Sequence, residues 1–390
     1  MDSIIEQISV NSQNAGEPKW LLKRRLEALE MFETVPEPSF KYGPDIVMNS
    51  NIRFKIPESE KNPKKINSVL IGPSIAMTLA EAARKEKWLK DKLFTEKPET
   101  KADALHQAFW GEGIFIKTEG SVNYDEVLRI ESTNNSEFRA EHIIILAEEL
   151  SKISIIKRNT GSPGLKTEKV QIYSKKGAEV NYGNMQNLGK LSKSISAFEG
   201  NVERDSNINW MTCDLGALFA KTTLNSKLKE SGASTTQYGL FFGRNDQKYD
   251  IHMHSEHIGK NTNSKLHVIG ALDGKSKAVS RGFIKIREGA SNSEGFQEEE
   301  TLLLSEKAEA SAVPYLEIDN NDVRCSHATS IGQLDEDAIF YSMTRGLSKN
   351  EAKKLQVGGF FDAFVQKMEP EFAKDIRKLI DGKVEEINDS

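Results

Sequence analysis

Cysteine is nearly absent from this chain: only Cys213 and Cys325 occur in 390 residues. Two thiols exclude a disulfide framework and suit a reducing compartment. Long apolar runs are missing too. No stretch approaches the roughly 18 consecutive apolar residues of a membrane helix, so no membrane is expected as a partner. There is no basic surplus either: 53 Lys and Arg stand against 58 Asp and Glu. Nucleic-acid binders carry a clustered basic face, so no nucleic-acid partner is expected. The start, Met1-Asp2-Ser3-Ile4-Ile5-Glu6, lacks the basic opening and apolar stretch of a secretory signal, and a cytoplasmic location is expected.

Nucleotide and hydrolase motifs are also missing. Gly270-Ala271-Leu272-Asp273-Gly274-Lys275-Ser276 resembles a phosphate loop, but Ile269 stands where its first glycine is required. Phe283-Ile284-Lys285-Ile286 then follows as a strand, where a phosphate loop needs a helix N-terminus. The segment is therefore read as a hairpin turn. With no nucleophile elbow and no dinucleotide fingerprint, the chain is expected to bind no nucleotide and to be no enzyme.

What is present is a threefold change of periodicity, in a chain too long for one ordinary core. Residues 1–109 read as mainly helical. Pro18 opens a helix with Trp20, Leu21, Leu26, Leu29 and Phe32 at helical spacing, and a second helix is expected from Ser74, as its N-cap, to Phe94. Residues 110–333 read as short β-strands such as Glu141–Leu146 and Lys265–Ile269, bounded by Gly, Asn, Asp and Ser. Ala178, Ala217, Ala233, Ala290 and Ala308 recur at separations close to multiples of 16–20, as the tight corners of a β-solenoid would. Residues 334–390 are helical again. Ser348-Lys349-Asn350-Glu351 is a capping box, and Pro370 starts a last helix with Phe372, Ile376, Leu379 and Ile380 as its stripe. These helices need somewhere to bury their apolar faces: on the β region, on each other or on a partner.

Two constellations carry possible metal chemistry. Cys325 and His327 lie two apart on an extended segment, so both side chains point to one face. They are soft or borderline donors for iron, copper or zinc, and a small buried cysteine beside a satisfied histidine is the plainer alternative. His252, His254 and His257 form H-x-H-x-x-H, in which the first two share a strand face and suit Zn or Fe. No carboxylate at helical spacing accompanies them, and a packed or solvated strand explains the same pattern.

Three stretches together resemble the SufB/SufD family, the scaffold proteins of Suf iron–sulfur cluster assembly. The first is Glu17-Pro18-Lys19-Trp20-Leu21-Leu22-Lys23-Arg24-Arg25-Leu26. The second runs from Ser280-Arg281-Gly282-Phe283-Ile284-Lys285-Ile286 through Gln297 and Leu302-Leu303-Leu304-Ser305 to Pro314-Tyr315-Leu316-Glu317-Ile318. The third is Asp322-Val323-Arg324-Cys325-Ser326-His327 with Phe340-Tyr341, Arg345-Gly346 and Gly359-Phe360. The resemblance implies a right-handed parallel β-helix flanked by N- and C-terminal helical regions, and a non-catalytic scaffold role.

It also implies partners: a SufC-like ATPase on the C-terminal helices, and a SufB-like subunit or a second copy of the chain at the last β-turns. Phe340, Tyr341, Arg345, Gly346, Phe360 and Phe361 are the implied partner-binding residues. A nascent iron–sulfur cluster shared with the partner is the implied cargo, with His327 as interface ligand and Cys325 as its neighbour. SufB-like chains carry a cysteine shortly before the Leu-Leu-Leu segment and a glutamate after the histidine. Here Gln297-Glu298-Glu299-Glu300-Thr301 has no cysteine and Ala328 follows His327, so the chain is more similar to SufD. A combined SufB/SufD-like homodimer and a carbohydrate-active β-helix enzyme are the alternatives.

Overall fold

The structure is a computed structural model describing residues 2–42, 46–48, 50, 52–57, 69–71, 75–111, 113–368 and 370–387. Its centre is a parallel β-solenoid. Consecutive strands alternate between two nine-stranded sheets, so each turn contributes one strand to each sheet. In each sheet eight strands pair in parallel, giving eight turns. The strand Lys193–Val202 shows why these segments are extended: Ser194, Ser196, Phe198, Gly200 and Val202 are buried inside while the residues between them are half-exposed. That period of two is what a strand with one face on a core requires.

The register advances by 26 residues per turn where Lys193 pairs with Phe219, and by 32 where Lys277 pairs with Glu309. The 16–20 interval expected from the small residues is therefore not the repeat. Ala178, Ala217, Ala233, Ala290 and Ala308 are nevertheless all buried and lie at corners between strands. Each turn has two corners of unequal length, so alanine spacing alone could not give the coil. The phosphate-loop-like segment is one such corner, between Asn263–Leu272 and Lys277–Ile286. Those strands belong to different sheets, so it is no hairpin. Gly274 turns it at φ +68°, and a Cβ there would lie 3.0 Å from the Asn245 backbone.

The lumen is packed in layers. Ile143, Ile155, Val170, Tyr182, Phe198 and Trp210 form its first half, with Tyr182 and Trp210 rings edge to face at 5.7 Å. Beside them lies a buried ionic network: Lys157 Nζ is 2.5 Å from Glu141 and bonds Glu168, and Lys166 lies 3.2 Å from Glu168. Burial alone would raise both carboxyl pKa values, but the two ammoniums outweigh it and hold Glu141 and Glu168 below the ordinary range.

The two ends of the solenoid differ. At the N-terminal end, short antiparallel strands Val69–Ile71 and Ala76–Thr78 close the two sheets. Helices pack over this end. They are α1 (Asp2–Asn14), α2 (Lys19–Met31), α3 (Leu79–Lys85) and α4 (Lys101–Phe109). Pro18 precedes α2, and Arg25 of that helix is buried against Glu17 at 2.6 Å and stacks on Trp110. The helix expected from Ser74 to Phe94 is shorter: α3 starts at Leu79 with Thr78 as cap, and a 3-10 turn follows at Lys87–Asp91. Ser74 itself lies outside the described residues.

Beyond the last strand the chain forms α5 (Glu336–Thr344), α6 (Lys349–Val365) and α7 (Pro370–Glu385), and α7 runs back along the outer wall, its Glu371 and Asp375 paired with Arg129 of Leu128–Asn134. Val357, Phe361 and Phe364 of α6 and Phe372, Ile376 and Ile380 of α7 pack against Ile156, Met185, Met211, Cys213, Phe242 and Ile269. The apolar stripes expected to seek a partner are largely consumed by the solenoid wall. Phe372 sits over Gly183, where a Cβ would come within 2.4 Å of its ring.

Candidate functional site at the open end of the solenoid

The last strand of each sheet, Glu309–Ile318 and Val323–Gln333, has a neighbour on one side only. Backbone N–H and C=O groups on the outer edges are thus left for another chain or for water. The apolar side chains of Val313, Tyr315, Ile318 and Ile331 on these two strands are exposed, Tyr315 by 56%.

Cys325 and His327 lie on this edge. Cys325 stands opposite Gly295, and His327 opposite Gln297. Gly295, Gln297 and Glu299 face the lumen and are buried, and parallel register partners project to the same side. Both donors therefore point toward the lumen at its open mouth, on one face, as their spacing predicts. Cys325 is half-buried on a cluster that includes Ile284, Ile286 and Leu316. Gly295 beside it leaves space for Ile284: a Cβ there would sit 2.9 Å from that side chain and in ordinary contact, 3.5 Å, with the thiol. Burial pushes the Cys325 thiol up, and the Gly295 backbone offsets part of the rise. His327 is exposed.

Glu299, one rung below, was not singled out by the sequence. It is buried, accepts hydrogen bonds from Ser280 Oγ and from Gln297 Nε2 (2.7 Å), and its carboxyl is raised by burial. Those hydrogen bonds, the Gly282 backbone and the field of His327 act against that rise. In the run Glu298-Glu299-Glu300 only the strand register selects the middle residue for the lumen; composition gives no signal.

The three histidines of H-x-H-x-x-H do not converge. His252 and His254 lie on the outer face, their rings parallel at 6.4 Å, and continue a ladder to Phe283 (4.5 Å from His254) and Tyr315 (5.0 Å from Phe283). His257 is buried inside and bonded at 2.8 Å to both Thr262 and Ser264. A single ion across all three is ruled out by strand alternation. Cys213 is fully buried under α7, and burial raises its thiol far above the ordinary value.

Among the implied partner contacts, Phe340 and Tyr341 are 68% and 60% exposed on α5, and the Arg345 guanidinium stacks 5.2 Å from the Tyr341 ring. Gly346 ends this helix at φ +99°. Phe360 is half-buried. Phe361 corrects the expectation: it is fully buried, its ring stacked 5.8 Å from Phe242, and belongs to the core. A cleft of about 440 Å³ lies elsewhere, lined by Phe94, His142, Lys169, Tyr173, Glu199 and Lys227. Several of its groups are paired: Lys169 with Glu199 at 2.7 Å, and His142 through both ring nitrogens to His106 and Gln171.

The chain is thus a parallel solenoid with one covered end, one open edge, and Cys325 and His327 at that open edge. The comparisons give its family. The profile described as SUF system FeS cluster assembly, SufBD core domain, matches residues 129–360, and the chain belongs to that family. It is 24% identical over 431 aligned residues to iron-sulfur cluster assembly SufBD family proteins of Staphylococcus haemolyticus, Staphylococcus epidermidis and Staphylococcus aureus. Each alignment covers 97% of this chain and 92% of the relative.

Proposed function

We propose that this chain is a non-catalytic, SufD-like scaffold subunit that meets a SufB-like subunit at the open edge and a SufC-like ATPase on segment 334–390. One observation carries the reading: Cys325 and His327 face the lumen on a strand whose outer edge is unpaired. Cargo held there is shared with whatever strand completes the edge. His327 is the exposed donor, and imidazole is an established ligand in mixed Cys/His iron–sulfur centres. Cys325, raised by burial, is a poor thiolate in the free chain. A partner's cysteine would then supply the sulfur ligand for the nascent cluster. No cysteine stands at 297–301 to provide one from this chain, which supports the SufD-like assignment. Exposed Phe340 and Tyr341 give the ATPase an aromatic foothold of the kind that anchors interfaces.

Anaerobic iron–sulfur reconstitution tests this with the chain alone, with a SufB-like subunit, and with both plus a SufC-like ATPase. Cluster absorption is expected only when the SufB-like subunit is present, and the three chains are expected to co-elute. A full cluster on the chain alone would overturn the shared-site reading. A stable homodimer carrying the cluster with SufC would replace it with the combined SufB/SufD role.

A further inference from the structure

On the outer face of the sheet, two strands in from the open edge, His267 meets Glu298 and Glu300. The ring of His267 is fully buried, wedged edge to face against Phe364 of α6 at 4.7 Å. Its Nε2 lies 2.9 Å from Glu300 Oε1, a hydrogen bond. Among the described residues its Nδ1 has no hydrogen-bond partner, although it is buried and points at Glu298, whose carboxylate oxygen is 3.6 Å away.

The chemistry of that gap is specific. Burial lowers the His267 pKa, and Lys367 adds to this, against the hydrogen bond His267 donates to Glu300 and the fields of Glu298 and Glu300. In the tautomer whose N–H sits on Nε2 and donates to Glu300, Nδ1 presents a bare lone pair to an anionic oxygen. Two acceptors facing one another in a buried site repel unless a cation lies between them. Their spacing fits one: donors bound at roughly 2.1 Å to a tetrahedral centre lie roughly 3.4 Å apart. A histidine that donates its other N–H to a carboxylate is also the usual arrangement behind a metal-bound imidazole. Ligand atoms of all three residues fall within 4.8 Å of one another. Glu298 is half-exposed, so a small rotation brings its carboxylate in, while Glu300 stays on Nε2.

We propose that His267 Nδ1 and Glu298 bind one divalent first-row metal ion, with Glu300 orienting the ring through Nε2 and water filling the remaining positions. One imidazole and one carboxylate, without thiolate, suit Fe²⁺, Mn²⁺ or Zn²⁺ and not a soft monovalent ion. The site is separate from Cys325 and His327, which project to the lumen side of the same sheet, and it stands whether or not the chain pairs with a SufB-like subunit.

The test uses the full-length chain stripped with EDTA, titrated calorimetrically with Zn²⁺ and, anaerobically, with Fe²⁺. A C325S/H327A variant, free of the lumen donors, is expected to keep one equivalent. E298Q and His267→Gln are expected to lose it or weaken it at least tenfold, and E300Q to weaken it 10–100-fold through loss of orientation. Zn²⁺ is expected to raise the Tm of the C325S/H327A chain and not that of E298Q/C325S/H327A. Should E298Q fail to fold, E300Q carries the same comparison. No binding by the wild-type chain would leave a salt-bridged imidazolium only and overturn the proposal. Full binding retained in His267→Gln would overturn it as well.

Discussion

His327 stands in register opposite Gln297, whose side-chain amide donates to the buried carboxylate of Glu299 at 2.7 Å. The exposed donor at the mouth thus rests on a hydrogen-bonded polar floor. His327→Ala is expected to change stability by less than about 0.5 kcal/mol, as an exposed substitution does. It is expected to abolish cluster assembly with a SufB-like partner. Thermal unfolding and anaerobic reconstitution check the two halves; unchanged assembly would remove His327 from the ligand set.

Cys325→Ser is expected to behave differently. The thiol is half-buried against apolar neighbours and raised by that burial, so its loss should act on packing more than on cargo. Reconstitution yield within twofold of wild type is expected, with a lower Tm.

Asp214 offers a pH signature. Burial pushes its carboxyl up to about 6, against hydrogen bonds from Thr222 and Gln186. A carboxyl whose folded value lies above its unfolded one binds its proton more tightly when folded. Its contribution therefore grows as pH falls from about 6 toward the ordinary Asp value near 4, and at pH 7.5 the ionised form costs about 3 kcal/mol at most. Asp214→Asn is expected to raise the Tm at pH 7.5 and to flatten the stability profile between pH 7 and 4.5, as read by denaturant unfolding.

Lys157→Met is expected to destabilise by about 3–5 kcal/mol, because Glu141 and Glu168 would be left buried with one fewer cation. Both carboxyls are depressed in the folded state, so the stability they contribute is present above their ordinary range near 4.3 and lost as pH falls through their folded values. Acid unfolding of wild type and variant reads both effects.

Phe361 and Phe340 separate core from surface on neighbouring helices. Phe361→Ala is expected to cost about 3–5 kcal/mol through its cavity beside Phe242. Phe340→Ala should leave the Tm nearly unchanged and weaken co-purification with a SufC-like ATPase. The reverse pattern would relocate the partner surface.

Strand alternation made much of this legible. The lumen-facing pair Cys325 and His327 follows from a spacing of two, and the capping box at Ser348 and Glu351 forms as read. The corner alanines only hinted at a solenoid, and the parallel β-helix rested on the family resemblance; the coil length was hidden because two unequal corners per turn scramble a single interval. Phe361 looked like a contact residue because an apolar stripe does not say what covers it; the covering surface, Phe242 and Ile269, lies about a hundred residues earlier in the chain. Glu299 and His267 were hidden for a related reason. Their surroundings are made by strand residues 19 to 33 positions apart, through pairings that no local window contains.

The unequal ends have an arithmetic consequence. A stack open at both ends can add copies without limit, as fibrils do. Short antiparallel strands and helices cover one end here, so the long unpaired edges are confined to the other. Two such chains joined mouth to mouth would pair those long edges and bring the lumen donors of both to one seam.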